Sequence, residues 1–244
     1  MSLLSYRFLE YGVETQSFVL WIKINMFPTR PCFAIIVCLH ANANSSYRDA
    51  VNLQRKLLDW DAKTLIMSDQ PIPGATLVLS SRGLATAIDT AVTQYAPTHD
   101  IFFSLSAHGY QQRGLESDGK DEYIRVGTDR LLDDHLHTAL LANVTPTTRV
   151  LALIDTCHSG SMLDLPETYH PNVPLGTVAC VSACSDSETT GEDISDFGGF
   201  GGKLCAQFLD YQLQNFSIVD FFKHCYRIFT HQTAQRTYPV LSHN

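Results

Sequence analysis

An α/β protein, with helices on both faces of a mostly parallel sheet, is the fold class that this 244-residue chain predicts. Three observations carry it. Ala34-Ile35-Ile36-Val37-Cys38-Leu39, Ile101-Phe102-Phe103-Ser104-Leu105 and Val150-Leu151-Ala152-Leu153-Ile154 are continuous apolar runs with polar flanks, as expected of strands buried on both faces. The stretches between them repeat apolar residues at helical spacing. No internal repeat or composition break divides the chain. Strands alternating with helices give a three-layer α/β/α sandwich.

The elements follow in order. After the first strand, Ser45 or Ser46 is placed to cap a helix carrying Ala50, Val51, Leu53, Leu57 and Leu58. Thr64-Leu65-Ile66-Met67 is a second strand, closed by loop residues Asp69, Pro71, Pro73 and Gly74. Leu84, Ile88, Ala91 and Tyr95 mark a helix from about Ser81 to Tyr95. The strand leading to His108 comes next, then a hairpin strand over Glu122–Val126 and a short helix around Asp134–Leu141. Beyond the strand that leads to Cys157, a proline-rich connection reaches a strand at Thr177–Val181. Residues 185–202 are acidic and then glycine-rich, without periodicity, and read as a mobile surface loop. Leu204, Phe208 and Leu209 open one more helix; Ile218, Phe221, Phe222, Cys225, Ile228 and Phe229 form another, with Ser217 as its cap.

Composition narrows the class. With 45% hydrophobic and 17% charged residues the chain is globular, and its formal charge of −8 without a basic stripe argues against nucleic acid. The seven cysteines are odd in number. Cys32, Cys38, Cys205 and Cys225 sit in apolar patterns as buried thiols, and Cys180 with Cys184 is a poor zinc pair. A reducing, cytoplasmic setting suits them. Phe18-Val19-Leu20-Trp21-Ile22 is too short to span a bilayer, so residues 1–31 are expected to be an amino-terminal extension to a domain over 32–244. Met26 stands as an alternative start.

His108 and Cys157 follow their strands at matching offsets. In open α/β sheets ligands bind beyond the carboxyl ends of the strands, so the two would stand side by side there. A thiol beside an imidazole is the arrangement for covalent acyl transfer. The amides of Gly109 and Cys157 are the natural donors to an oxyanion. His158, adjacent to the nucleophile, is expected to point away and serve structure. Asp155, two residues before Cys157, is a carboxylate at the site, suited to a basic substrate side chain.

Ser104-Leu105-Ser106-Ala107-His108-Gly109 resembles the metacaspase histidine motif, with Ala107 in place of the usual glycine. Leu153-Ile154-Asp155-Thr156-Cys157-His158-Ser159-Gly160-Ser161 resembles the cysteine motif of that family. The likeness continues through Leu163-Asp164-Leu165-Pro166, Ser182-Ala183-Cys184-Ser185-Asp186 and Pro239-Val240-Leu241-Ser242. It implies a caspase-like sandwich, a large part over about 32–166 and a small part over about 177–244. It implies a cysteine endopeptidase cutting after Arg or Lys, with the basic side chain held by Ser46, Asp49, Ser106 and Asp155. It further implies calcium, held by Asp121 (within Asp118-Gly119-Lys120-Asp121-Glu122), Asp133, Asp134 and Asp164. Hard oxygen ligands of this kind suit that ion, although Asp133 and Asp134 also complement a helix amino terminus.

Two rival functions remain open. One is a catalytically silent caspase-fold regulator, the other a peptidase with a different preference, such as asparagine. Caspases that hold a substrate aspartate need basic residues, and neither motif contains an Arg. Between Arg149 and Lys203 there is no Lys or Arg. An enzyme restricted to basic residues could not cut itself between its large and small parts, so the expectation is one intact chain acting as a monomer. Arg7, Lys23 and Arg30 are the candidate self-cleavage sites, and Lys203 is the one candidate near the small part.

Overall fold

The computed structural model describes residues 25–39, 44–114, 119–170, 175–185, 187–189, 192–195, 199–231 and 238–244. In chain order the strands are β1 (Cys32–Cys38), β2 (Lys63–Ser68), β3 (Ala75–Leu77), β4 (Asp100–Ser106), β5 (Gly109–Arg113), β6 (Lys120–Val126), β7 (Asp129–Leu132), β8 (Val150–Asp155), β9 (Glu167–Thr168), β10 (Val178–Ser182), β11 (Glu192–Ser195), β12 (Gly199–Gly202) and β13 (Val240–His243). The α-helices are α1 (Asn44–Lys56), α2 (Ser81–Tyr95), α3 (Asp133–Leu141), α4 (Lys203–Asp210) and α5 (Ile218–His231).

Eight strands form the central sheet, in the order β3-β2-β1-β4-β8-β10-β13-β9. The first six pair in parallel; β13 and β9 join antiparallel at the edge. Side chains alternate across the sheet. Ala34, Ile36, Phe102, Leu151 and Leu153 meet the face covered by α1, α4 and α5. Ile35, Val37, Phe103, Ala152 and Ile154 meet the face covered by α2 and α3. The three-layer sandwich is therefore as the sequence reads. From β1 the chain winds outward to β2 and β3, then returns to the other side of β1 as β4. That reversal opens a crevice between the carboxyl ends of β1 and β4, where such sheets bind ligands.

Several elements differ from expectation. Helix α1 already begins at Asn44, so Ser45 and Ser46 lie inside it rather than before it. Ser80 and Ser217, by contrast, do cap α2 and α5, accepting from Gly83 and Asp220 amides at 3.1 and 3.3 Å. The strand at Glu122–Val126 is the centre of a separate antiparallel sheet, β5-β6-β7. Its neighbour Gly109-Tyr110-Gln111-Gln112-Arg113 is too polar to signal a strand by itself. Part of the glycine-rich stretch forms the β11–β12 hairpin, because glycine leaves no apolar alternation to read.

The packed domain also starts earlier than residue 32. Phe27 is buried and stands edge-on to Trp60, which meets Phe102, Phe208 and Phe216 in the same way. Asp100, wholly buried, gathers the Thr29 amide at 2.7 Å, the Thr29 hydroxyl at 3.0 Å, the Arg30 amide at 3.2 Å and Arg30 Nε at 3.0 Å. The Arg149 amide adds a fifth bond at 3.1 Å. A buried carboxylate with this many donors locks residues 29–30 to the start of β4 and β8. Asp100→Ala is expected to cost about 3 kcal/mol, since it strands a half-buried cation and several amides. Urea unfolding measures it, and an unchanged midpoint would show that the segment is held by other means.

Candidate active site

Pairing of β4 with β8 sets Ser106 opposite Asp155. His108 and Cys157 each lie two residues further on, so their loops leave the sheet together. The loops touch. A Cβ at position 109 would overlap the Cys157 carbonyl oxygen and come within 3.0 Å of Thr156 Oγ1. Glycine is required there by proximity, not by backbone conformation. His108 is exposed at the mouth of this junction and Cys157 is half-buried, whereas the other six cysteines are buried thiols. The expected pair is thus brought to one edge, with the Gly109 backbone between them.

The cysteine loop is braced from below. His158 adopts a left-handed φ of 53°, and its amide donates to the Glu188 carbonyl at 3.0 Å. This backbone bond braces the turn at His158. Ser159, fully buried, exchanges bonds with the backbone of Cys184, accepting from its amide at 3.2 Å and donating to its carbonyl at 3.2 Å. Glu188 in turn accepts from the Ser185 amide at 3.1 Å and the Tyr238 amide at 3.1 Å. The two segments of the family resemblance around Cys157 and Cys184 therefore hold each other.

The acidic residues of the expected pocket sit in the β1/β4 crevice, on the α1 and α4 face. Asp49, from α1, accepts from the Ser106 hydroxyl at 3.0 Å and from the Gly202 amide at 2.9 Å. Asp155 accepts from the Cys205 amide at 2.7 Å, in the first turn of α4. Gly202 packs so closely that a Cβ would collide with the Asp155 carboxylate. Three of the four pocket residues thus converge; the Ser46 side chain lies outside the described residues. Burial pushes the Asp155 carboxyl up to about 7, helped by the like charge of Asp49; the amides of Cys205 and Leu204 and the Lys203 ammonium pull the other way. Asp155 Oδ1 has no hydrogen-bond partner among the described residues. Lys203 itself is only 3% exposed, its ammonium 4.4 Å over the Phe229 ring. The sequence marked it as a cleavable surface residue. Burial at the helix start removes it from that role.

Of the acidic group assigned to calcium, Asp133, Asp134 and Asp164 come together. Asp133 is 1% exposed and accepts from the Glu122 amide at 2.7 Å. Burial, then Asp133 and Asp134, push the Asp164 carboxyl up to about 6, with Glu122 contributing and His137 opposing. Asp164 Oδ2 is buried without a partner among the described residues. Asp121 is placed differently. Strand alternation sends Glu122 inward with Ile124 and Val126, and lays the Asp121 carboxylate against Gly114. Asp118 lies outside the described residues. Among the described residues no three side chains already stand as a metal-binding group, so an ion here would have to draw the loops in.

A family model for the metacaspase peptidase C14 domain matches residues 35–166. The chain belongs to the metacaspase family. It is 27% identical over 207 residues to Metacaspase-2 of Trypanosoma brucei brucei, covering 75% of this chain and 57% of that protein. To Metacaspase-1 of Ajellomyces capsulatus it is 33% identical over 131 residues, 46% of this chain and 36% of the other. The metacaspase chain described here thus spans about half the length of such relatives. Its fold matches caspase-1 from Spodoptera frugiperda with a TM-score of 0.57 at 13% identity, over 90% of this chain and 88% of that one.

Two outcomes follow from the geometry. Gly109→Ala should push the histidine loop off Cys157, seen as slower alkylation of the Cys157 thiol in a protein that still melts cooperatively; unchanged alkylation would show that the loops can part without consequence. Asp155, with its folded carboxyl raised above the ordinary value, keeps a proton that the unfolded chain loses, so it costs stability as pH rises from about 4 through about 7. Asp155→Asn should therefore raise the melting temperature at about pH 8 and leave it unchanged near pH 4. Equal gains at both values would contradict the buried-charge account.

Proposed function

We propose that this metacaspase is a cysteine endopeptidase that cleaves after Arg or Lys, with a His108–Cys157 dyad and calcium activation. The observation that carries the reading is the contact of Gly109 with Cys157 beside a buried pair of carboxylates, Asp49 and Asp155. In the first half-reaction the Cys157 sulfur bonds to the scissile carbonyl carbon, its proton passing to His108. The amides of Gly109 and Cys157 would hold the oxyanion. The C–N bond then breaks as His108 protonates the departing amine. Water, deprotonated by His108, releases the thioester and restores the thiol.

A substrate guanidinium or ammonium in the β1/β4 crevice would meet Asp49, Ser106 and Asp155. The unpartnered Asp155 Oδ1 supports this, since a buried carboxylate oxygen without a donor is costly and a cationic side chain would satisfy it. Asp133, Asp134 and Asp164 would hold calcium, again supported by an orphaned oxygen, Asp164 Oδ2. The ion would relieve their mutual repulsion and order the loops beside Ser161.

The same reading keeps one intact chain. The Arg149 backbone is paired at both ends, to Asp100 and to Ile101, and Lys203 is buried. Arg30, a candidate cleavage site, is held by Asp100 and by the His99 carbonyl at 2.8 Å; Arg7 and Lys23 lie outside the described residues. A monomer with protein substrates is the corresponding assembly. No helix among the described residues is long and apolar enough to cross a membrane.

Fluorogenic peptides with Arg, Lys, Asp or Asn before the cut, with and without calcium, test the whole reading. Cys157→Ala and His108→Ala should abolish turnover, Asp155→Ala should abolish discrimination of Arg from norleucine, and Asp133→Ala with Asp134→Ala should abolish the calcium response. Full activity in either dyad variant would sink the assignment. Fragments ending between residues 158 and 202 would contradict basic specificity or the single chain.

A further inference from the structure

Glu122 is a buried carboxylate that the proposed chemistry does not use. On β6 it stands 1% exposed, on the strand face that carries Ile124 and Val126 into the core. An apolar residue would suit such a place better, unless the carboxylate makes specific bonds. It makes three. Oε1 accepts from Gln111 Nε2 at 2.7 Å, Oε2 accepts from the Ser161 hydroxyl at 2.7 Å, and the backbone amide donates to Asp133 Oδ2 at 2.7 Å.

The partners matter more than their number. Gln111 lies two residues beyond Gly109, on the strand that continues directly from His108. Ser161 lies four residues beyond Cys157, on the cysteine loop. Asp133 opens α3 and belongs to the acidic group. One side chain therefore ties the histidine strand to the cysteine loop, and its main chain ties both to the acidic residues. The β5-β6-β7 sheet has no strand pairing with the central sheet, so beyond the β4–β8 register and the close approach of Gly109 to Cys157 the two are joined by side-chain links. Charge-assisted bonds of 2.7 Å are short and directional.

We propose that Glu122 is the positioning residue of the dyad and the link through which the acidic group acts on it, an inference that rests on the peptidase reading. Glu122 touches neither reacting group. It fixes the separation of the two loops that carry them. Misplacement of reacting groups by an ångström costs about 100-fold in rate.

The experiment compares Glu122→Ala, Glu122→Gln, Ser161→Ala and the double variant Glu122→Ala/Ser161→Ala. On an Arg peptide, Glu122→Ala and Ser161→Ala should each lower kcat by about 10- to 100-fold with KM within about two-fold. Glu122→Gln, whose amide can bond both Gln111 and Ser161, should recover most of kcat. The double variant should be no worse than Glu122→Ala, because both remove one link. Where Glu122→Ala fails to fold, Ser161→Ala decides, since it breaks the same link and leaves the carboxylate in place.

A second readout needs no peptide substrate. Cys157 is the one half-buried cysteine among six buried ones, so iodoacetamide reports on it selectively. The pH profile of alkylation in Glu122→Ala and Ser161→Ala should move toward that of His108→Ala. Wild-type kcat in Ser161→Ala, strictly additive losses, or an alkylation profile unchanged from wild type would overturn the assignment of Glu122. Failure of every peptide with a shifted alkylation profile would instead overturn the peptidase reading and leave the positioning role standing.

Discussion

The parallel register of β4 with β8 is the constraint on which the rest of the site depends. It is set deep in the sheet, where Phe103 faces Ala152 and Leu105 faces Ile154. These residues are fully buried. A slip of one residue would turn every apolar side chain of the strand toward the wrong helix layer, so register is fixed by burial and not by the site itself. What leaves the sheet is then determined. Ser106 opposes Asp155, His108 follows one and Cys157 the other, and the two loops meet at Gly109. The reactive groups add little to the stability of the arrangement and inherit its precision.

The same register creates an electrostatic problem. It sets Asp155 on the α1 and α4 face beside Asp49, two carboxylates out of water and within range of each other. The fold answers with amides. Gly202 and Cys205 donate to the pair at 2.9 and 2.7 Å, and the first turn of α4 presents its unpaired N–H groups and the positive end of its dipole. Compensation is incomplete, since the Asp155 carboxyl still rises to about 7 and one of its oxygens is left over. The site is held in this half-satisfied state. The close packing of Gly202 on Asp155 makes the β12–α4 junction the wall of that site, in a stretch where composition alone shows only glycine.

Legibility in the sequence divides along physical lines. Buried parallel strands announce themselves by unbroken apolar runs, and a helix such as Ser81–Tyr95 by its period, so the sandwich and the meeting of the His108 and Cys157 loops could be read directly. Of the carboxylates assigned to calcium, Asp133, Asp134 and Asp164 stand near one another, whereas Asp121, half-buried, lies against Gly114 as β6 alternates. The cue was present in Asp121-Glu122-Tyr123-Ile124, where Glu122 shares a parity with Ile124 and Val126. Lys203 gave no such cue, since a lysine beside glycines looks exposed until α5 is known to cover it. Residues 25–31 were set outside the domain for a related reason: the partner that holds them, Asp100, is remote in the chain. Long-range polar contacts leave no local period.

Five of the six buried acidic residues among the described ones meet three different fates. Asp100 is saturated by five bonds from two chain segments and acts as a structural rivet. Glu122 and Asp133 are joined to each other through the Glu122 amide, and Glu122 spends both oxygens on the loops around it. Asp49 and Asp155 take amides from one helix start, at Gly202 and Cys205, and Asp155 keeps one oxygen without a partner among the described residues. The cost of burying a carboxylate is similar in each case; what differs is how much of it the chain itself offsets. Full compensation makes a fixed point, compensation spread over two loops joins them, and a shortfall leaves a buried charge that the described residues do not offset. On that scale the unpartnered oxygens of Asp155 and Asp164 are buried carboxylate oxygens whose cost the described residues do not offset.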